Sequence, residues 1–292
     1  MKTVDRLAQL LPGAAGEILA RRDELREVRL RAGGPVQLVF GAQDCLTGEA
    51  LEARDLARCL SELMDHSLYA REGELAEGFF TLPDGARVGV CGRLIAEGGR
   101  VAGMGDVGSL CVRIARAIPG CAGALLPLAE GPKSLLVASA PGMGKTTCLR
   151  DLARLLSSRG LRVAIADERH ELAACFRGVP QLDVGPRTDV MDGGPKVASI
   201  GRILRAMAPQ AIVTDEIGGP EDAQCLAEAA RCGVAVIASA HGASIEDLLA
   251  RPALRKTLDE GVFDTVALLG GSPGALRAVY RREKGAGEWS CG

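Results

Sequence analysis

Residues 134–147 read SLLVASAPGMGKTT, an apolar run that breaks into a glycine turn and ends in Gly-Lys-Thr-Thr, the pattern with which a phosphate-binding loop opens its helix. Leu135 to Ala138 suit a buried strand, and Gly142 and Gly144 let the backbone turn its N–H groups toward an anion where a side chain would obstruct them. Lys145 supplies a point charge for the β- and γ-phosphates, and the Thr146 hydroxyl suits a magnesium ligand. Ser139, Ala140, Pro141, Gly142, Met143, Gly144, Lys145, Thr146 and Thr147 are therefore the expected nucleotide-binding residues, at the positive end of a helix over about residues 147–158. One letter departs from the pattern: Ser139 stands where the first glycine is usual. A serine leaves a strand end without positive φ, so the expected cost is small.

Outward from this loop the two halves of the chain differ. After residue 134 strands alternate with helices, with strands expected over residues 162–166, 211–214 and 234–239, so the fold class is α/β with a mostly parallel sheet and ligand at the carboxyl ends of the strands. A terminal hairpin is expected from residues 263–269 and 275–280 around the turn GGSPG. The first half mixes short patterns into a smaller α+β domain. Residues 27–40, EVRLRAGGPVQLVF, read as two strands; residues 52–65 carry an amphipathic helix through Leu56, Leu60, Leu63 and Met64; residues 78–95 form a hairpin around Pro83-Asp84-Gly85; and residues 109–115 form one more strand. The Pro- and Gly-rich stretch 118–132 holds the boundary, giving an N-terminal domain over 1–125 and an ATPase domain over 126–292.

Residues 211–216, AIVTDE, are an apolar strand ending in two carboxylates. Beside the loop they fit a Walker B element, with Asp215 on the metal and Glu216 as general base toward the attacking water. Alone they would read equally as helix caps. A second acidic cluster follows the strand RVAIA: Asp167, Glu168, Arg169, His170 and Glu171 either orient water or metal at the same sheet edge or form a solvated helix start with Glu171 in its first turn. Ser239 and His241 follow another strand, where either can sense the γ-phosphate or His241 can cap a helix. Arg202 and Arg205 stand three apart on a helical stretch, as arginine fingers toward a neighbouring subunit or as ordinary surface arginines. Arg113 and Arg116 are further candidates to reach a nucleotide from the first domain.

Composition narrows the class. The 292 residues are 47% hydrophobic and 25% charged, ordinary for a globular protein of two domains. No stretch approaches the about 18 uninterrupted apolar residues of a spanning helix, and Asp5 and Arg6 interrupt the start too early for a secretory signal, so a cytoplasmic protein is expected. None of the ten cysteines forms a C-x-x-C pair and most have apolar neighbours, which reads as buried free thiols. A net charge of −2 and 3% aromatic residues offer little to nucleic acid.

Several strings match more than a generic ATPase. VRLRAGGP, GFFTLPDGARVGVCGR, VRIAR, the glycine turn, IADERHELA, DVGPRTDVMDGGPK, MAPQAIVTDEIG and ASAHG together resemble the stage III sporulation protein AA family, bacterial ATPases akin to the motors of type II and type IV secretion, and the likeness covers nearly the whole chain. The resemblance implies a RecA-like motor domain in a homo-oligomeric ring, a hexamer, serving a mother-cell-to-forespore channel in endospore formation. ATP and Mg2+ are the implied cofactors, and membrane proteins of the channel the implied partners, with the motor peripheral at the inner face of a membrane. It also implies that residues 167–171 form an acidic box, Glu216 the Walker B glutamate and His241 a histidine box; Ser139 and His170 depart from the family's pattern. Some relatives carry an extra nucleic-acid-binding module at the carboxyl end. Only Arg281, Arg282 and Lys284 stand there as a basic cluster, which favours the secretion-motor branch; the alternatives are a nucleic-acid-binding P-loop ATPase, motivated by the arginines of the first domain and this basic tail, and a nucleotide-gated scaffold without turnover, motivated by Ser139.

Overall fold

The computed structural model describes residues 2–41, 43–66, 72–98, 100–131, 133–282 and 289–291. The chain divides into two compact units, Met1–Ala115 and Arg116–Gly292. The expected boundary at 125/126 lies further along, and the residues between belong to the second unit because Ala122 and Leu125 are buried in its core.

In the first unit, helices α1 (Thr3–Leu10) and α2 (Ala15–Ala20) precede strands β1 (Glu27–Arg31), β2 (Val36–Phe40) and β3 (Gln43–Thr47). Helices α3 (Ala53–Leu63) and α4 (Glu72–Ala76) lead to strands β4 (Phe79–Thr81), β5 (Arg87–Glu97) and β6 (Arg100–Arg113). The sheet order is β3-β2-β1-β6-β5-β4, antiparallel throughout. Period-two alternation buries Val28, Leu30, Val36, Leu38 and Phe40 on one face, where Leu56, Cys59, Leu60 and Leu63 of α3 join the same core. Asp55 accepts from the Glu52 amide at 2.9 Å and fixes the start of that helix. The last strand was expected only from residue 109. It begins at Arg100 because Gly103, Met104 and Gly105 pair with Ile95, Leu94 and Arg93 across the hairpin, a cross-strand ladder that overrides the poor strand propensity of the run VAGMGDVG.

The second unit comprises α5 (Leu126–Ala129), β7 (Leu135–Ser139), α6 (Lys145–Ser158), β8 (Val163–Asp167), β9 (Thr188–Asp192), α7 (Lys196–Ala206), β10 (Ala211–Glu216), α8 (Pro220–Arg231), β11 (Ala235–His241), α9 (Ile245–Leu249), α10 (Pro252–Asp259), β12 (Thr265–Leu269), β13 (Leu276–Arg282) and β14 (Trp289–Cys291). Its sheet runs β14-β13-β12-β7-β11-β10-β8-β9. The strands from β12 to β9 are parallel, and β13 and β14 extend the β12 edge antiparallel. Strands β7, β8 and β12 are buried along their whole length because helices cover both faces, so each reads as a continuous apolar run. Leu135 and Val137 face the core that holds Cys148, Leu149, Leu152 and Leu156 of α6. Leu136 and Ala138 face the opposite core, with Ile200 and Ile203 of α7, Leu226 of α8, and Leu254 and Leu258 of α10. The expected terminal hairpin is thus a continuation of the main sheet, its first strand paired with β7.

All ten cysteines are free. The expectation of buried thiols holds for Cys59, Cys148, Cys175 and Cys225, whereas Cys91 in β5, Cys232 just after α8 and Cys291 in β14 are exposed. Among the described residues no helix is long and apolar enough to cross a membrane. Lys284 lies outside the described residues; Arg282 donates to the Asp259 carbonyl at 2.5 Å.

Candidate functional site

Parallel pairing carries the carboxyl ends of β7, β8, β10 and β11 to one edge of the sheet. His241 lies opposite Ser139 and Glu216 opposite Ser239, so residues remote in sequence meet where each strand stops.

Strand β7 ends at Ser139, and residues 140–144 turn into α6. Gly142 and Gly144 have φ of 79° and 82°, and a Cβ on Gly144 would stand 2.6 Å from Cγ of Pro273, in the turn between β12 and β13. Glycine is required there twice over, by backbone conformation and by that approach. Ser139 is absent from the positive-φ positions and donates from Oγ to the Ala140 carbonyl at 2.8 Å, so the serine is accommodated without strain. Cys148 N makes the first helical bond, to the Gly144 carbonyl at 2.9 Å. The amides of Lys145, Thr146 and Thr147 ahead of it are the unpaired donors that every helix start presents.

The Lys145 ammonium folds back over this turn. It donates to the Ser139 carbonyl at 3.1 Å, the Ala140 carbonyl at 3.3 Å and Ser139 Oγ at 3.4 Å, and lies 3.0 Å from His241 Nδ1. Burial pulls its pKa below the usual 10.5, with Glu216 opposing. With Lys145 donating, Nδ1 accepts and the imidazole proton sits on Nε2, which faces Glu216 Oε2 at 3.1 Å. The same carboxylate oxygen is 3.3 Å from Nη1 of Arg169. Lys145, His241, Glu216 and Arg169 thus form one polar chain.

Asp215 parts from its neighbour. Glu216 reaches His241, while Asp215 Oδ1 lies 3.0 Å from Nζ of Lys196, the first residue of α7. That approach is off the line of a hydrogen bond, so both Asp215 oxygens are buried without an aligned donor among the described residues. Burial raises the Asp215 carboxyl above 3.8, and Lys196 opposes the shift. Lys196 is 2% exposed. Its ammonium also lies 3.5 Å from Asp222 Oδ2 and 3.7 Å from Glu168 Oε2, and donates to the Glu216 carbonyl. Sequence reasoning did not single out Lys196. The available signal was a lysine at a helix start, where the dipole disfavours a cation, straight after the turn Gly193-Gly194-Pro195.

The acidic segment 167–171 divides into different tasks. Asp167 accepts from the amides of Glu171, Leu172 and Ala173 at 2.8–3.1 Å, which spends its carboxylate on a loop; no helix starts there, contrary to the second of the two readings. Glu168 accepts from the Lys196 amide at 3.3 Å. His170 has φ of 56° and pairs through Nδ1 with Asp192 at 2.8 Å. The Glu171 carbonyl accepts from Arg150 at 2.6 Å; the same buried guanidinium donates to the carbonyls of Leu172 at 2.5 Å and Arg116 at 2.6 Å. Arg202 and Arg205 are exposed on α7, and Arg202 donates to the Ala198 carbonyl at 3.0 Å. Neither has a contact with the Lys145 chain among the described residues. Arg113, in the first unit, pairs with Glu27 at 3.4 Å.

The residues present fit a nucleotide with its metal. The glycine turn presents the amides of a helix start beside a lysine whose hydrogen-bond partners among the described residues are neutral, and both Asp215 oxygens are buried with only Lys196, off the hydrogen-bond line, beside them among the described residues. Among the described residues no group of three or more His, Cys, Asp or Glu is arranged to hold a metal ion, the situation in which magnesium takes one or two protein ligands and completes its shell from phosphates and water.

A family model described as "Sporulation stage III, protein AA" matches residues 3–287. The chain is 40% identical over 295 residues to the stage III sporulation protein AA of Bacillus subtilis (strain 168), covering 96% of each. Among solved structures, the ATPase DotB of Yersinia pseudotuberculosis superposes with a TM-score of 0.66 at 13% identity, over 99% of this chain and 82% of that one. The pilus retraction motor PilT with bound ADP gives 0.58 at 12%, over 100% and 81%. At such identities the likeness is one of fold, which is shared with the ATPase DotB and the pilus retraction motor PilT. The chain belongs to the stage III sporulation protein AA family.

Proposed function

We propose that the protein is a Mg-dependent ATPase, hydrolysing ATP to ADP and phosphate at the carboxyl edge of a RecA-like sheet, and that it works as a ring-forming, secretion-type motor of a mother-cell-to-forespore channel. The observation that carries this reading is the chain from Lys145 through His241 to Glu216: the lysine of the glycine turn joined by one imidazole to the carboxylate that ends β10.

Lys145 rests on carbonyls and a neutral imidazole, so a polyphosphate, being charged, is the stronger partner for its ammonium. As Lys145 moves to phosphate, His241 loses its donor at Nδ1 and is left to orient between the γ-phosphate and Glu216. Glu216 accepts the proton of the attacking water, with Arg169 and His241 setting the direction of its carboxylate. Thr146 and Asp215 would hold magnesium, which supplies positive charge to the phosphate oxygens. Gly142 and Gly144, with the amides of Lys145, Thr146 and Thr147, bind and orient the phosphates.

Lys145→Ala removes nucleotide binding, measured by fluorescence with a labelled ATP, and Glu216→Gln preserves binding while stopping phosphate release. Retained ATP affinity in the Lys145→Ala protein would sink the site; unchanged turnover in Glu216→Gln would remove the base. Family membership and the fold shared with motor ATPases support an oligomer, a hexameric ring, attached to the inner face of a membrane through channel proteins. Arg202 and Arg205, exposed on α7, are the candidates to serve a neighbouring subunit. Mixed rings of Arg205→Ala and Lys145→Ala subunits regain activity if Arg205 acts in trans; rings that stay inactive in every mixture assign that arginine to the surface. Stimulation of hydrolysis by DNA or RNA, fading steeply with salt, would turn the reading toward a nucleic-acid motor.

A further inference from the structure

Lys196 breaks a local rule that the nucleotide reading leaves unexplained. A lysine at the first position of a helix meets the positive end of the dipole, and here its ammonium is withdrawn from solvent as well. What holds it is a cage of oxygens: the carbonyl of Glu216, Asp215 Oδ1 at 3.0 Å, Asp222 Oδ2 at 3.5 Å and Glu168 Oε2 at 3.7 Å. An ammonium has three hydrogens and four oxygens surround it, some at distances set by charge rather than directed bonding. Gly218 N donates to Asp222 Oδ2 at 2.8 Å, so that acid is fixed by its own loop and does not simply follow the lysine, whereas Glu168 Oε1 accepts from the amide of Lys196 itself at 3.3 Å. Asp215, 6% exposed, has no other cation within ion-pairing distance among the described residues, and both its oxygens lack an aligned donor. Three carboxylates and one carbonyl surround this single ammonium; among the described residues no three such side chains are arranged to hold a metal ion as they stand, so the charge that answers Asp215 here is one that belongs to the chain.

We infer that Lys196 is a built-in counter-cation, a positioning residue that fills the oxygen cage at the end of β10 and closes Asp215 to divalent metal until a bound triphosphate supplies further ligands. The inference rests on the nucleotide reading of the site. It accounts for the separate paths of Asp215 and Glu216: one acid is held in reserve by Lys196 while the other stays with the imidazole. A lysine that merely pinned the start of α7 would, on removal, loosen the helix and gain the protein no metal.

The test is Mn2+ uptake by the full-length protein, followed by loss of the free-ion paramagnetic resonance signal, with and without ATP. The wild type takes up Mn2+ with ATP and not without it. Lys196→Ala takes up Mn2+ in the absence of nucleotide, at half-saturating concentrations lower than wild type by about tenfold or more, on the scale of effects that ligand-supporting residues have on metal affinity. Adding Asp215→Asn to that variant removes the gain, and Lys196→Arg behaves as wild type. Lys196→Gln, which keeps a long polar side chain without charge, serves the same comparison if the alanine variant does not fold. Equal nucleotide-free uptake in wild type and the neutral variants overturns the inference, as does Asp215-dependent uptake by wild type without ATP. ATP binding by the wild type, scored in the same titration by labelled nucleotide, reads the nucleotide site separately, because the decisive comparison between wild type and variant contains no nucleotide.

Discussion

Two lysines open helices that pack on opposite faces of the second sheet, Lys145 at the start of α6 and Lys196 at the start of α7, and both are nearly withdrawn from solvent. They differ in what surrounds the ammonium. Lys145 touches carbonyls, a hydroxyl and one neutral imidazole, and its positive charge is left largely unanswered. Lys196 faces three carboxylates. The same residue at the same helical position is thus a receptor for an anion in one case and an internal counter-ion in the other, and only the strand ends packed against each decide which.

The sharpest way to break this contrast is to remove both charges in turn. Lys196→Met should cost about 3–5 kcal/mol of stability, because it strands buried carboxylate charge, read as a fall in the urea midpoint. A loss under about 1 kcal/mol would mean that the acids are answered by something else. Lys145→Met strands no comparable charge and should change stability by about 1 kcal/mol or less. It should instead weaken ATP binding by about 100-fold, equivalent to about 2.7 kcal/mol, in an equilibrium titration. Variants with equal stability losses would erase the distinction between the two lysines.

A smaller effect is expected at the turn itself. Gly144→Ala meets both a positive φ and the ring of Pro273, and should cost about 2 kcal/mol in thermal or urea unfolding, whereas Gly142→Ala, with open space around its Cβ, pays only for the backbone, about 1 kcal/mol. Equal costs at the two glycines would show that the Pro273 turn gives way. The smallest effect is chemical. Burial pushes the Cys148 thiol up to about 12 and the Cys225 thiol up to about 11, one on the helix of each lysine's neighbourhood, α6 and α8. At pH 8 both should resist alkylation while exposed Cys91 and Cys232 react. Rapid labelling of Cys148 in the folded protein would place the Lys145 helix in local exchange with an open form.

Legibility in the sequence followed the range of the forces involved. Strands β7, β8, β10 and β11 were readable because burial on both faces demands unbroken apolar runs; Glu216 and His241 were readable because each ends such a run, and Lys145 because a glycine turn joins it to one. Strand β9, TDVMD, was not, since its polar residues lie at the edge of the sheet and carry no alternation. The first part of β6 was hidden by its glycines. In the candidate site, Asp167 read as a group free to orient water, yet three backbone amides consume it, and sequence cannot show which amides a loop will turn inward.

The glycine turn and its lysine were determined by the sequence alone, because phosphate recognition there depends on backbone freedom and charge within a few consecutive residues. Only the tertiary structure decided that Asp215 and Glu216 take separate partners and that Lys196 joins the first of them. Those pairings depend on which strands lie side by side, and in a parallel sheet that order is set by crossovers through packed helices rather than by proximity along the chain.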